Sequence, residues 1–414
     1  MSEGSGFGLL LRRGGHGNVL THVVTAVLGA ALAAGLLLAF SNPASGGQSG
    51  SSSGSNAASS PLSSSEENIA DQVKPGVVLI NTTLQYNGEV AAGTGMVVSA
   101  NGLVLTNNHV IEGSTKLTAT VVSTGKTYPA TVVGYDKTGD VALIRLQNAS
   151  GLRTIPVASS SPAKARETVV AMGNAEGQGT VVAKAGRITG LGKTISASDE
   201  AGSATSETLH GMIETNADVV PGDSGGPLSS SAGVIGMDTA GNDVSGPGQG
   251  PATGFAIPIS TAMSVARQIT AGQASITVAI GYPPFLGVFV GSGSSSSPQA
   301  QAQQQEQQQN GSGSQGSNPG CFTSNADLTV PSAIAPARSG TLIDGIICGS
   351  PAASAGMTAG AVITAVDGEA VGSPDEFSSV LTRFHPGDTI SVSWVSPSGQ
   401  HTTSRLHLTD GPPQ

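Results

Sequence analysis

From Val77 onward the apolar residues fall into short runs divided by Gly, Asn and Thr, and that rhythm predicts strands rather than helices. The clearest runs are Val77–Ile80, Gly95–Val98, Leu103–Thr106, Thr131–Val133, Val141–Ile144, Thr168–Met172, Val181–Ala183 and Val234–Met237. Many short strands at near-regular spacing imply a sandwich or barrel, with the topology left open by periodicity alone. A helix is expected just ahead of them. Ser64-Ser65-Glu66-Glu67 reads as a capping box, Ile69 and Val73 share a helical face, and Lys74-Pro75-Gly76 is a stop. A second set of elements begins at Tyr282. Helix starts are marked there by Ser350-Pro351 and by Ser373-Pro374-Asp375-Glu376, with a stop at His385-Pro386-Gly387.

Three stretches break this pattern. Val19 to Phe40 is apolar and uncharged behind Arg12 and Arg13, long enough for the about 20 residues a bilayer requires. It reads either as an N-in signal-anchor helix or as a signal peptide cut near Ala39-Phe40-Ser41, and either one exports the remainder. Residues 41–64 are nearly all Ser, Gly, Ala, Asn and Pro, a composition that predicts a coil linker. Residues 291–320 are Ser, Gly and Gln with the single charge Glu306, and are expected not to fold. These breaks give a leader over 1–40, a linker over 41–64, one domain over 65–275 and a second over 276–411, interrupted by the low-complexity insert.

Composition narrows the chemistry. Gly makes up 59 of 414 residues, roughly twice the usual share of about 7%, which suits turn-rich β structure. A net charge of −10 with no Lys/Arg run argues against a nucleic-acid partner. No Cys/His grouping has metal-ligand spacing, so neither a metal nor a cofactor is expected.

The chemistry concentrates in Pro221-Gly222-Asp223-Ser224-Gly225-Gly226-Pro227-Leu228. A serine hydroxyl attacks a carbonyl at neutral pH only with a base to take its proton and donors for the oxyanion that forms. Gly222 lets the Gly222-Asp223-Ser224 backbone turn so that the N–H groups of residues 222 and 224 can serve as those donors. An ordinary Gly-Ser turn is the bland alternative. Between residues 65 and 275 only His109 and His210 occur. His109 follows a strand directly, in Thr106-Asn107-Asn108-His109-Val110, where its ring can face a cleft; His210 lies in a polar stretch. His109 is therefore the expected base. Asp140, opening the apolar run Val141–Ile144, is the expected acceptor for its other ring nitrogen, ahead of Asp136.

In their order and setting, Thr-Asn-Asn-His-Val, Gly-Asp-Val-Ala-Leu, Gly-Asp-Ser-Gly-Gly-Pro and Gly254–Ile259 resemble the trypsin-like serine proteases of the HtrA/Deg family, most of all secreted actinobacterial members. The resemblance covers roughly residues 66–411. It implies a mainly β fold, a trypsin-like double β-barrel followed by a smaller α+β PDZ domain, behind the N-terminal apolar helix. It also implies a homotrimer. Two positions depart from the family. Asp223 stands where Asn is usual, and no activation site precedes Val77 to free an amino terminus for it. Asp218, six residues before the nucleophile, stands where a small apolar residue is usual. With Val219 and Gly241 it would shape the specificity pocket, either as a carboxylate floor favouring Arg or Lys, or turned to water in a pocket for small aliphatic side chains.

Tyr282–Val290 resembles the carboxylate-binding loop and first groove strand of a PDZ domain. Phe285, Leu286, Gly287 and Val288 would receive the C-terminus of a peptide. Cys321 and Cys348 are the only cysteines. In an exported chain an even pair suggests a disulfide, two free thiols being the alternative. Taken together, the expectation is an exported serine endopeptidase acting on envelope or extracellular proteins in quality control. The rival is a proteolytically latent, PDZ-bearing chaperone or sensor of protein C-termini.

Overall fold

The computed structural model describes residues 25–28, 61–86, 89–158, 163–199, 206–241, 253–309, 321–323, 328 and 331–413. Helix α1, Ser64–Val73, starts one residue earlier than the capping pattern suggested. Glu66 reaches back to accept from the Ser63 N–H at 2.8 Å and the Ser63 hydroxyl at 2.7 Å. Those two donors hold the Glu66 carboxyl below its ordinary range. Ile69, Ala70 and Val73 form its buried face.

Twelve strands make two closed barrels of six. The first comprises β1 (Val77–Leu84), β2 (Glu89–Ser99), β3 (Leu103–Thr106), β4 (Lys116–Val121), β5 (Lys126–Asp136) and β6 (Val141–Leu146). They run in the order β5-β4-β1-β2-β3-β6, and β6 pairs back onto β5. The second comprises β7 (Thr168–Gly173), β8 (Val182–Asp199), β9 (Ser206–Thr215), β10 (Pro227–Ser230), β11 (Gly233–Gly241) and β12 (Gly254–Pro258). Their order is β11-β10-β7-β8-β9-β12, closed by β11 against β12. A one-turn helix, α2 (Asn108–Ile111), follows β3. Helix α3 (Ile259–Thr270) follows β12, and strand β13 (Val278–Ile280) then adds to β5.

The period of two decides what each barrel buries. Val97, Val104 and Ile144 fill the first barrel, while their neighbours Met96, Leu105 and Leu143 turn outward. Those outward residues are equally buried, because Met172, Met237 and Phe255 of the second barrel and the apolar faces of α1 and α3 meet them in one shared cluster. Strands buried on both faces lose the polar alternation, which is why Val141–Ile144 reads as a continuous apolar run. Truncating a residue of the shared layer such as Leu143, fully buried, costs about 2–5 kcal/mol.

The second domain forms around Leu286, Ile343, Ile346, Phe377, Ile390 and Trp394. Its strands are β14 (Pro284–Phe285), β15 (Val288–Phe289), β16 (Thr341–Leu342), β17 (Gly345–Ile346), β18 (Val362–Val366), β19 (Glu369–Ala370), β20 (Thr389–Val395), β21 (His401–His407) and β22 (Thr409–Asp410). Its core helix, α6 (Pro374–Leu381), is capped by Ser373, whose hydroxyl accepts from the Glu376 N–H at 3.3 Å. The shorter α5 (Pro351–Ser354) is capped by Ser350. Cys321 and Cys348 are joined in a disulfide.

The insert differs from expectation. Residues 298–309 form a helix, α4 (Pro298–Gln309). Gln301 donates to the Gly340 carbonyl at 2.8 Å and accepts from the Leu342 N–H at 2.8 Å. One side-chain amide thus serves the open edge of β16 as a neighbouring strand would. Ala302 closes over Leu342, Val362 and Val395. The apolar surface that orders this Gln-rich segment belongs to the sheet, so the composition of the insert could not reveal it. Of the leader, Thr25–Leu28 is described as a strand beside β8 and β11. The expected apolar helix otherwise lies outside the described residues, as do residues 41–60 of the linker and residues 310–320. Among the described residues no helix is long and apolar enough to cross a membrane.

Candidate active site

The site lies where β3, the turn before β6 and the β9–β10 loop converge. Asn107 is extended at φ −80° and starts α2, so His109 lies in the first turn of a helix just past the strand end. Asp140 has φ +50°, a left-handed backbone that Asp adopts more readily than most residues. Two contacts hold it there: the Asn107 side-chain amide donates to the Asp140 carbonyl at 2.9 Å, and the His109 N–H donates to Oδ1 at 3.1 Å. The His109 Nδ1 lies 3.0 Å from both carboxylate oxygens. An ionised carboxylate only accepts, so Nδ1 carries the proton and Nε2 presents its lone pair away from Asp140.

Thr239 joins Ser224 to this pair. Its hydroxyl donates to Asp140 Oδ2, and its carbonyl accepts from the Ser224 hydroxyl at 3.3 Å. Asp140 is fully buried and Ser224 nearly so.

The loop around Ser224 is held by its carbonyls. Pro221 O accepts from the Glu176 N–H at 2.7 Å, and Asp223 O accepts from the Gly226 N–H at 2.8 Å. A trans peptide points its N–H opposite to its C=O. Anchoring those two carbonyls therefore aims the N–H groups of Gly222 and Ser224 away from the anchors. Between them, Gly222 O accepts from the Thr94 hydroxyl at 2.7 Å, and the same hydroxyl accepts from the Asn174 N–H at 2.9 Å. The Thr94 N–H also donates to Ser224 O at 2.9 Å. Thr94 thus clamps the serine loop of one barrel from a strand of the other. Gly222 has φ +91°, and a Cβ there would lie 2.2 Å from Asn174 O. Gly225 has φ +83°, with Thr94 O 2.1 Å from a Cβ. Neither position admits a side chain.

Asp223 finds its donor within the loop, where its Oδ2 accepts from the Val220 N–H at 3.0 Å. Asp218 is more than half exposed, at 55%, and pairs with Lys184 Nζ at 3.2 Å. It is therefore not an unpaired carboxylate at the floor of a closed pocket. Val219 is buried and packs against the bare face of Gly254, while Gly241 pairs with Gly254 across β11 and β12. Among the described residues no three metal-ligating side chains cluster.

In the second domain Phe285, Leu286, Gly287 and Val288 line a groove whose opposite wall is Phe377 and Leu381 of α6. The turn is tight. Gly287 has φ +82°, and a Cβ there would lie 2.1 Å from that of Ser350. Two contacts join this groove to the barrel that carries His109. The Phe285 ring stacks on Tyr86 at 5.7 Å between centroids, and Pro413 O accepts from the Gly113 N–H at 2.8 Å.

The sequence assigned no role to Thr94, Glu176 or Thr239, and quoted Asn107 only as part of the motif around His109. Thr94 between Gly93 and Gly95 was the one visible hint, but its partners are 80 and 128 residues away.

Residues 93–237 match the trypsin-like peptidase domain and residues 342–390 match the PDZ domain. The serine protease PepD of Mycobacterium tuberculosis is 31% identical over 360 residues, 83% of this chain and 66% of that protein. The chain belongs to the HtrA family of trypsin-like serine proteases with a C-terminal PDZ domain. A probable periplasmic serine protease do/HhoA-like of Haemophilus influenzae is 30% identical, over 75% of this chain and 56% of that one. The periplasmic pH-dependent serine endoprotease DegQ of Escherichia coli is 35% identical, over 43% and 37%. This HtrA chain accordingly spans about two thirds or less of the length of these relatives. Among solved structures, the HtrA-type protease AlgW with decapeptide is 23% identical, covering 84% of this chain and 100% of its own, at a TM-score of 0.43. That superposition is too loose to add to the assignment.

Proposed function

We propose that this HtrA chain is an exported serine endopeptidase that cleaves envelope or extracellular proteins in quality control, through an acyl-enzyme on Ser224. The ordered set His109–Asp140–Thr239–Ser224 carries the reading. His109 Nε2 removes the Ser224 proton as Oγ attacks the scissile carbonyl. The imidazolium that forms is stabilised by Asp140 and returns the proton to the leaving amine. Water then attacks the ester with His109 again as base, and Ser224 leaves with its proton restored. The N–H groups of Gly222 and Ser224 receive the oxyanion, each worth about 2.7–4 kcal/mol to the transition state.

The substrate side chain beside the cleaved bond would enter between the Asp218-Val219 loop and the strand ending at Gly241. With Asp218 already neutralised by Lys184, and Val219 filling the space beside Gly254, small aliphatic residues fit this pocket better than Arg or Lys. Protein C-termini are the partners that suit the groove at Phe285–Val288, where a strand can pair and a carboxylate can meet backbone N–H groups. Domain limits at 65–275 and 276–411, a homotrimer and attachment through the apolar leader belong to the same reading.

A fluorophosphonate probe tests it. Covalent labelling of the full chain that disappears in Ser224→Ala is the expected result. Absence of labelling under every condition, with and without C-terminal peptides, would instead favour a latent chaperone or sensor.

A further inference from the structure

Beneath the serine loop lie two carboxyl groups that the hydrolysis described above does not use. Asp223 precedes the nucleophile and is 2% exposed; Asp238, in β11, is fully buried. The backbone binds them into one unit. The Asp238 N–H donates to Gly226 O and Asp238 O accepts from the Gly225 N–H, both at 2.8 Å, while Gly226 in turn donates to Asp223 O. Asp238 pairs with Ala256 across the sheet, and Ala256 belongs to the cluster filling the second barrel. Cross-strand partners share a face, so the Asp238 side chain enters that barrel, beneath the serine loop.

Among the described residues, Asp223 Oδ1 and both carboxyl oxygens of Asp238 have no hydrogen-bond partner. The charged groups felt at Asp223 are Lys184, Asp218 and Glu176; at Asp238 the one felt is Asp223. Lys184 is already paired with Asp218. Two adjacent carboxylates cannot both stay ionised in an apolar barrel without a cation, and such groups bind a proton instead. Burial pushes the Asp223 carboxyl up to about 6, and burial with Asp223 alongside pushes Asp238 well above its ordinary range.

We propose that Asp238 is a positioning residue for the serine loop: its neutral carboxyl donates to Asp223 Oδ1, so that one shared proton holds the residue before the nucleophile in place. The acid then occupies the position of the donor that Asp223 otherwise lacks on that oxygen. The pair titrates as a unit. In the unfolded chain both groups ionise near the ordinary value of about 3.9, whereas the folded chain keeps one proton through the neutral range. A native state that binds one proton more than the unfolded state loses about tenfold in folding equilibrium for each pH unit of rise. Loss of that proton leaves two anions facing each other below the loop and disturbs the N–H groups of Gly222 and Ser224, so kcat falls on the alkaline side.

The test uses full-length chains carrying Ser224→Ala, alone and with Asp238→Asn or Asp223→Asn. An amide at either position can donate to the remaining carboxylate, so both variants are expected to fold. The infrared C=O band of protonated carboxyl groups at neutral pH should lose one group's intensity in each variant. The fall of the unfolding midpoint between pH 6 and 9 should be shallower than in the parent, by one proton's contribution of about tenfold per pH unit. Asp344, a third buried acid, raised to about 7, is common to all three and cancels in the difference. In the Ser224 chains, the alkaline limb of kcat should weaken in both variants. An unchanged band and an unchanged midpoint slope in both would overturn the proposal. The activity arm rests on the endopeptidase reading; if no chain hydrolyses peptides, that reading fails while the infrared and unfolding measurements still decide this one.

Discussion

Replacing Thr94 by valine tests how far the serine loop depends on a clamp from the opposite barrel. Valine keeps the shape but removes a hydroxyl that donates to Gly222 O at 2.7 Å and accepts from Asn174 N–H at 2.9 Å, both buried. Each orphaned backbone group costs about 1–3 kcal/mol. Part of that cost is relieved if the Gly222–Asp223 peptide rotates towards other partners, and rotation spoils the aim of an oxyanion donor. One donor is worth at most about 4 kcal/mol to the transition state, and each 1.36 kcal/mol is about tenfold in rate. Partial misalignment should therefore lower kcat by about 10- to 100-fold. KM should stay within about twofold, because the donors act on the oxyanion rather than on the bound substrate. Steady-state hydrolysis of a peptide by the parent, Thr94→Val and Thr94→Ser chains measures this, with serine expected to recover most of the rate. A folded Thr94→Val chain with kcat within twofold of the parent would refute the clamp.

Lys184→Ala removes the cation paired with the Asp218 carboxylate, so hydrolysis of an Arg peptide should gain on a matched Val peptide; an unchanged ratio would mean that Asp218 does not face the substrate. Replacing Cys321 and Cys348 by serine opens a loop with sequence separation 27 and should destabilise the PDZ domain by about 3–4 kcal/mol, read as a lower denaturant midpoint for that domain alone. Asp344 is held near 7 by burial, against the hydrogen bonds from Gln305 and the Gly291 N–H. Its folded value lies above its unfolded one, so the PDZ domain should be most stable at low pH and lose stability as pH rises towards 7. Asp344→Asn should flatten that dependence, and a slope equal to the parent's would place the proton elsewhere. Gly225→Ala drives a Cβ to 2.1 Å from Thr94 O and should abolish labelling at Ser224 while leaving PDZ unfolding unchanged.

The strands and both capped helices of the second domain were legible because a period of two, a Ser-Pro start and a Gly stop are local signals. The candidate reactive residues could be proposed for a different reason: a nucleophilic serine needs glycines beside it, and a base at a strand end has few candidates in a chain with so little histidine. The insert was misjudged on composition, since Gln301 is ordered by backbone groups of residues 340 and 342. Asp218 was ambiguous because Lys184, which neutralises it, lies on a strand 34 residues earlier in the chain.

By itself, then, the sequence determined the β character of the chain and the capped helix starts of the second domain, and it singled out His109, Asp140 and Ser224 as the candidates for acyl chemistry. It also specified the glycine positions at which the backbone must bend. Only the tertiary structure decided what stands behind them: the closure of each barrel, the Thr94 clamp between barrels, the Thr239 bridge and the burial of Asp223 with Asp238. Propensity and capping act over a few residues, whereas these contacts join positions far apart in the chain. Their energies come from groups withdrawn together from water, and which groups those are is settled when the two barrels pack.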